Sequence, residues 1–194
     1  CSPTKGVDET LEMTARLIGD GFRVVPHVAA KNVRDKAHLE QILHRLHELR
    51  VASLFVPGGD RAKPAGEFAT AFQLLSAIDD IGHDIEEIGV GAHPEGHPDV
   101  DNDTLFSELK KKQELCQYMV TQMCFSADII GSWLHDMRSR GITLPVWIGL
   151  PGVIDRARLI KASFRIGVGD SLRFLRKKSN LAAELMKSAT YSPD

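Results

Sequence analysis

The sequence predicts an α/β protein built around a parallel sheet, and two features of the chain lead to that class. Between residues 6 and 166, short apolar stretches alternate with longer amphipathic ones. The short stretches are apolar on both faces, whereas a strand with one face in water alternates apolar and polar side chains. Strands that are apolar on both faces are typical of a parallel sheet covered by helices.

The first two amphipathic stretches, residues 8–22 and 35–50, predict helices. Gly21 is suited to end the first helix, and Asp35 is suited to cap the start of the second. The apolar positions that define the two helix faces are Leu11, Ala15 and Leu17 in the first and Leu39, Ile42, Leu43 and Leu46 in the second.

The other elements follow from the same two patterns. The later helices are predicted at residues 67–78, 103–115, 127–141 and 156–167, and the strands at residues 23–30, 52–60, 87–95, 118–125 and 144–153. Histidines on the predicted helices, among them His38, show no ligand spacing and are expected on the surface.

Five strand and helix units allow either an open doubly wound sheet or a closed barrel. A barrel gathers functional residues from the carboxyl end of every strand, whereas an open sheet gathers them mainly at one crevice. Distinctive residues follow nearly every strand here, at His27 and at residues 58–60, 93–97, 121–124 and 150–152. The sequence therefore favours a (β/α)8 TIM barrel. Because a complete barrel takes about 250 residues, residues 1–194 are expected to form a single barrel domain without its first strands and its last strand.

The amino-acid composition limits the kinds of partner that the protein is expected to bind. Lys and Arg number 24 and Asp and Glu number 26, so the net charge is −2 and no nucleic-acid or membrane partner is expected. The apolar runs are far shorter than the roughly 20 residues that cross a bilayer. Three cysteines form no C-x-x-C pair, which favours the reducing cytoplasm. Whether the chain forms a homo-oligomer stays open.

The segment GVGAHPEGHP, residues 89–98, allows three interpretations. His93, Glu95 and His97 are residue types that bind zinc or iron. Pro94 and Pro98 prevent a regular strand, so a shared face for the three side chains cannot be assumed. A rigid loop is the second interpretation. The lip of a large pocket is the third and the preferred one, and no metal is expected.

Three other positions also have a functional and an ordinary interpretation. Asp60 follows two glycines that would let a ligand approach the backbone, although an ordinary turn needs the same residues. Lys110 and Lys111 could reach a diphosphate or form a solvated helix face. Gln122 lies among apolar residues, and its amide could pair with a flat heterocycle or with the core itself.

Taken together, GGD at residues 58–60, AHPEGHP at 92–98, LKKK at 109–112 and VTQMCF at 120–125 resemble the methylenetetrahydrofolate reductase family. The resemblance extends over essentially the whole chain. It implies a (β/α)8 barrel that binds FAD, takes a hydride from NADH or NADPH, and interconverts 5,10-methylenetetrahydrofolate and 5-methyltetrahydrofolate. It also implies a place in one-carbon metabolism and methionine biosynthesis.

The resemblance assigns roles to individual residues. Asp60 matches the family's catalytic carboxylate beside the flavin and the folate, and Gln122 matches the amide that binds the pterin. The positions that match FAD-binding residues are His93, His97, Ser107, Lys110 and Lys111.

The sequence also departs from the family pattern. His93 stands where the family usually has Tyr, and Gly58 where it often has Arg. The family's general-acid glutamate is expected before Cys1. An alternative is therefore a flavin-independent member of the family that binds a folate or another pterin.

Overall fold

The computed structural model describes residues 6–124 and 126–150, together with the backbone of two short strands at residues 154–155 and 190–191. The helices are α1 (Val7–Gly19), α2 (Lys36–Glu48), α3 (Ala71–Ile81), α4 (Asn102–Lys112) and α5 (Ala127–Ser139), with a 3₁₀ turn at Ala30–Asn32. The strands are β1 (Ser53–Val56), β2 (Glu87–Ala92), β3 (Tyr118–Thr121), β4 (Val146–Trp147), β5 (Ile154–Asp155) and β6 (Thr190–Tyr191).

The first four strands form one parallel sheet in the order β1-β2-β3-β4. In β1 and β2, Ser53 pairs with Glu87 and Val56 with Val90. A helix follows each of β1, β2 and β3 along the chain. The predicted α/β class with a parallel sheet is therefore confirmed. Strands β5 and β6 form a separate antiparallel pair.

The chain divides into two compact units. One contains the chain up to Gly91 together with Lys110–Met119, and the other contains Ala92–Leu109 together with the chain from Val120 onward. The core of the first unit lies where β1 and the buried faces of α2 and α3 meet, and its fully buried side chains include Leu39, Ile42, Leu46, Leu54, Leu74 and Ile78.

Helix α2 forms where its sequence pattern predicted. Asp35 caps its first turn, because its carboxylate accepts the backbone N–H of His38 at 2.7 Å. The predicted apolar positions of α2 are all buried: Leu39, Ile42, Leu43 and Leu46. Helix α1 also forms, and Gly21 adopts a φ of +86° just after its end.

Several predicted elements differ in extent, and strands β1 and β3 are shorter than the predicted residues 52–60 and 118–125. The strand expected at residues 23–30 is reduced to one parallel bridge between His27 and Phe55, because Pro26 has no N–H to donate to a ladder. Helix α3 begins at Ala71 rather than at residue 67, since Thr70 forms a capping box with Gln73. Strand β4 is short, and the helix predicted at residues 156–167 lies outside the described residues.

The expectation that His38 lies on the surface is wrong. Its side chain is 5% exposed, and its Nδ1 accepts the backbone N–H of Arg34 at 3.1 Å. Its Nε2 is buried with no hydrogen-bond partner among the residues described. Burial lowers the pKa of His38 from 6.5, and the charge of Arg34 adds to the lowering while Asp8 and Asp35 oppose it.

We expect His38 to make folding pH-dependent. Its pKa is lower in the folded protein than in the unfolded chain, so its contribution to stability is present above pH 6.5 and is lost as the pH falls below that value. Replacing His38 with Gln should therefore flatten the decline in unfolding free energy between about pH 7 and about pH 5.

Denaturant unfolding at several pH values measures this slope, with His44→Gln as the control. His44 lies on the same helix, and its side chain is 73% exposed. His27, whose pKa burial also lowers, contributes equally to both variants. Identical slopes for the two variants would contradict the role of His38.

Gly89 makes the close approach of β2 and β3 possible. A Cβ atom at this position would overlap the ring of Tyr118 on β3. Gln117 also joins β2 to β3 through two hydrogen bonds with Ile88. Ile88 N–H donates to Gln117 Oε1 at 2.7 Å, and Gln117 N–H donates to the Ile88 carbonyl at 2.9 Å. The residue before β3 is therefore tied to Ile88, the second residue of β2.

We expect Gly89→Ala to lower the free energy of unfolding by about 2 kcal/mol, because the added methyl group must displace Tyr118. Gly131→Ala is the matched control. Gly131 lies in α5 with no atom within 4 Å of an added Cβ, and alanine there should stabilise the helix by about 1 kcal/mol. Chemical denaturation of both variants gives the comparison, and a neutral Gly89→Ala would refute the tight approach.

Candidate functional site

The loop that carries Asp60 begins at the carboxyl end of β1, and backbone hydrogen bonds hold its first residues. Ala30 N–H donates to the Pro57 carbonyl at 2.9 Å, and Lys31 N–H donates to the Gly58 carbonyl at 3.0 Å. These bonds hold the first residues of the loop beside the 3₁₀ turn. The Asp60 side chain is exposed.

The far end of the same loop is tied to the same segment. Ala65 N–H donates to the Lys31 carbonyl at 2.9 Å, and Glu67 N–H donates to the Arg34 carbonyl at 2.8 Å. A Cβ at Gly66 would overlap the carbonyl group of Arg34, so only glycine fits there. The loop is thus anchored on both sides of Asp60 while its carboxylate stays accessible.

Gly59 is required by this loop, whereas its neighbour Gly58 is not. Gly59 has a φ of +96°, and its added Cβ would lie 3.0 Å from the Ala29 Cβ. An added Cβ at Gly58 meets nothing within 4 Å. We expect Gly59→Ala to cost about 1–2 kcal/mol of stability and Gly58→Ala to be near neutral.

Thermal or denaturant unfolding of the two adjacent variants measures this difference. Equal effects would show that the loop does not hold the backbone conformation described above.

The segment after β2 forms a compact turn. Gly96 N–H donates to the His93 carbonyl at 3.0 Å, and Gly96 has a φ of +78°. The His93 and His97 rings pack edge to face with centroids 5.4 Å apart, and His97 Nδ1 accepts the Asp99 N–H at 3.1 Å. Both histidines and Glu95 are half-buried. The turn is therefore an ordered structure built around the histidine pair.

This geometry gives no support to the metal interpretation. Within the part of the chain that the structure describes, no group of three or more His, Cys, Asp or Glu side chains could hold a metal ion. The loop and pocket-lip interpretations both agree with an ordered, half-buried turn.

Helix α4 presents the third group of predicted residues. Ser107, Lys110 and Lys111 are exposed, and their spacing of three and four positions places them on one helix face. The ammonium group of Lys111 lies 5.7 Å from the centre of the Phe72 ring. The lysines lie in the last turn, where cations also stabilise the negative end of the helix dipole.

Gln122 directly follows β3 and is half-buried. Its N–H donates to the Ala92 carbonyl at 2.7 Å, which joins it to the end of β2. Sequence reasoning missed two residues here. Thr121 is 4% exposed, and its Oγ1 accepts the backbone N–H of Gly149 at 2.9 Å. The only sequence signals were the Thr-Gln pair at a strand end and the glycine that follows β4.

The predicted residues are divided between the two units. The first unit contains Asp60, Lys110 and Lys111, with Asp60 in the β1–α3 loop and the lysines at the end of α4. The second unit contains His93, His97, Ser107 and Gln122, and there the structure brings the two histidine rings together.

The first unit also contains a cavity of about 300 Å³ that sequence reasoning did not predict. Within it, His47 Nδ1 lies 2.5 Å from Asp84 Oδ2, and this hydrogen bond lowers the pKa of Asp84. None of the predicted site residues lines the cavity, which is formed by Glu40, Leu43, His44, His47, Ile81, Gly82, His83, Asp84 and Ile85.

A parallel sheet whose first three strands are each followed by a helix, with candidate residues after the strand carboxyl ends, fits an α/β barrel type of protein. The chain matches the family described as "Methylenetetrahydrofolate reductase" over residues 6–163. This match covers most of the chain, which therefore belongs to the methylenetetrahydrofolate reductase family. The predicted family and its TIM-barrel fold are both confirmed.

A curated relative agrees with this assignment. The chain is 31% identical over 132 residues to "Methylenetetrahydrofolate reductase 1" of Schizosaccharomyces pombe (strain 972 / ATCC 24843). The alignment covers 64% of this chain and 22% of the relative, so the chain spans about a fifth of that protein. Among the helices that the structure describes, none is both long enough and apolar enough to cross a membrane.

Proposed function

We propose that this chain belongs to a flavin-dependent oxidoreductase that interconverts 5,10-methylenetetrahydrofolate and 5-methyltetrahydrofolate with NADH or NADPH as reductant. The family match over residues 6–163 carries the proposal, and the name of the curated relative agrees with it. We further propose that residues 1–194 belong to a single barrel domain and form part of it. The proposed compartment is the cytoplasm. We propose no nucleic-acid or membrane partner, because a net charge of −2 does not attract the protein to these anionic partners.

The proposed FAD-binding residues have suitable chemistry. Lys110 and Lys111 offer two exposed cations on one helix face, with the Ser107 hydroxyl one turn earlier, and a diphosphate carries matching negative charges. His93 and His97 form an ordered turn that could pack against a ring system. The chemistry that FAD supplies when bound is hydride transfer from the nicotinamide to the folate.

Asp60 and Gln122 are proposed to act on the folate. A fixed carboxylate near the reacting carbon favours the cationic iminium form of the substrate, because opposite charges attract. The exposed Asp60 side chain on a doubly anchored loop suits this role. The Gln122 amide has both a donor and an acceptor for a pterin edge, and its backbone is fixed at Ala92.

We expect Asp60→Asn to leave FAD bound while slowing reduction of the folate by at least about tenfold, since the fixed charge is lost. Oxidation of NADH with a quinone acceptor should change by less than about twofold, because no folate cation forms in that half-reaction. Stopped-flow measurement of both half-reactions gives the two rates. Asp80→Asn, an exposed carboxylate on α3, is the control. Equal slowing of both half-reactions would contradict the assignment of Asp60.

The lysines provide a second test. We expect Lys110→Gln combined with Lys111→Gln to weaken FAD binding by about tenfold or more, with a reduced dependence on salt, because two charges that face a diphosphate are removed. Lys36→Gln on α2 is the matched control for loss of an exposed cation. Flavin fluorescence titration measures the Kd. If the Kd for FAD is unchanged and the helix is less stable, the lysines only stabilise the α4 dipole and do not bind FAD.

A second candidate follows from two departures from the family pattern. His93 stands in place of the usual Tyr and Gly58 in place of a frequent Arg, and both positions are flavin contacts in the family. The second candidate is a folate- or pterin-binding protein without flavin. Purified full-length protein distinguishes the two, since a yellow protein that binds FAD supports the reductase, whereas tight folate binding without FAD uptake supports the second candidate.

A further inference from the structure

Three hydrogen bonds surround the backbone of Gln122 in the second unit. Gln122 N–H donates to the Ala92 carbonyl at 2.7 Å. On the residue before it, Thr121 Oγ1 accepts Gly149 N–H at 2.9 Å, and two residues after it, Cys124 N–H donates to the Gly149 carbonyl at 3.3 Å. Both backbone polar groups of Gly149 are thus used to hold the segment that contains Gln122.

Gly149 lies directly against this segment. A Cβ added at Gly149 would lie 2.5 Å from the Thr121 carbonyl oxygen and 3.4 Å from the Met123 nitrogen. A backbone carbonyl cannot move away as a flexible side chain can, so any other residue at this position would push the two segments apart. Glycine is therefore what permits the chain after β4 to contact the residues on both sides of Gln122.

Thr121 contributes the one side-chain hydrogen bond among these contacts, through its hydroxyl group. It is 4% exposed at the end of β3, and its hydroxyl accepts the N–H of Gly149. Valine has nearly the same shape but cannot accept a hydrogen bond, whereas serine keeps the hydroxyl. The hydroxyl can therefore be removed or retained with little change in the volume of the strand end.

We propose that Thr121 and Gly149 are positioning residues that fix the Gln122 amide for recognition of the pterin ring. This inference rests on the proposed function, in which Gln122 binds the folate. A side chain that recognises a ligand through hydrogen bonds must be held within about 0.5 Å of its binding geometry, and neighbouring residues provide that support. The contacts from Gly149 to Thr121 and Cys124 place such support immediately next to Gln122 in the chain.

The test compares Thr121→Val, Thr121→Ser and Thr14→Val in the full-length protein with FAD bound. Thr14 is the matched control, since it is 2% exposed and its hydroxyl also bonds a backbone group, the Thr10 carbonyl, at 2.8 Å. Both valine variants lose one buried hydroxyl bond, and Thr121→Val should lose more stability because it also leaves the Gly149 N–H without its acceptor. A purely structural role for Thr121 predicts the same kinetics for both.

We expect Thr121→Val to raise the KM and the Kd for methylenetetrahydrofolate by about 5- to 10-fold, as loss of one hydrogen bond implies. The NADH–quinone half-reaction and FAD affinity should stay within about twofold, because the pterin amide takes no part in them. Thr121→Ser should restore folate binding, and Thr14→Val should leave it unchanged.

Two results would overturn the inference while leaving the proposed function in place. One is normal folate binding in Thr121→Val when Gln122→Ala weakens it, and the other is an equal loss of folate binding in Thr14→Val. A wild-type protein that binds no folate at all would instead refute the proposed function, and the inference with it.

Discussion

The parallel pairing of β1 and β2 is the constraint on which the rest of the first unit depends. Their register places Val56 opposite Val90, so the chain leaves both strands at the same edge of the sheet. The core beneath them holds this register, because a slip of one residue would turn buried side chains such as Leu54 and Ile88 toward the other face. The loop that carries Asp60 begins at this edge and has its start fixed by the strand.

The segments that follow β1 and β3 and contain Asp60 and Gln122 share one feature. The backbone is held by hydrogen bonds from a neighbouring segment, while the side chain with the proposed role remains at least partly exposed. Asp60 is exposed on a loop tied down on both sides, and Gln122 is half-buried between anchored neighbours. A ligand that binds such side chains loses less free energy to ordering, because the loop conformation is set in advance. Glycines at 59, 66 and 149 make these close backbone contacts possible.

The sequence predicted elements whose signals are local and missed contacts between distant segments. Helix α2 follows from the spacing of its apolar residues, its Asp35 cap from the residue type, and the buried strand β2 from its apolar composition. The strand at residues 23–30 was predicted too long because its apolar composition outweighed the missing N–H of Pro26. His38 looked like a surface residue, since burial of a polar side chain depends on packing that periodicity does not report. Thr121 and Gly149 are 28 positions apart, and no pattern in the sequence joins them. Roles for the site residues came from the family resemblance, because residue types alone left an ordinary alternative at every position.

The central proposal is that FAD and folate bind the segments that contain the proposed site residues. Amide hydrogen exchange of the full-length protein, with and without FAD and folate, tests this claim most directly, since bound ligands protect the backbone they cover or rigidify. The account predicts added protection at residues 57–66 of the first unit and at residues 93–98 and 121–124 of the second, with no change around the cavity at His47 and Asp84. Protection confined to one of these segments, or centred on that cavity, would contradict it.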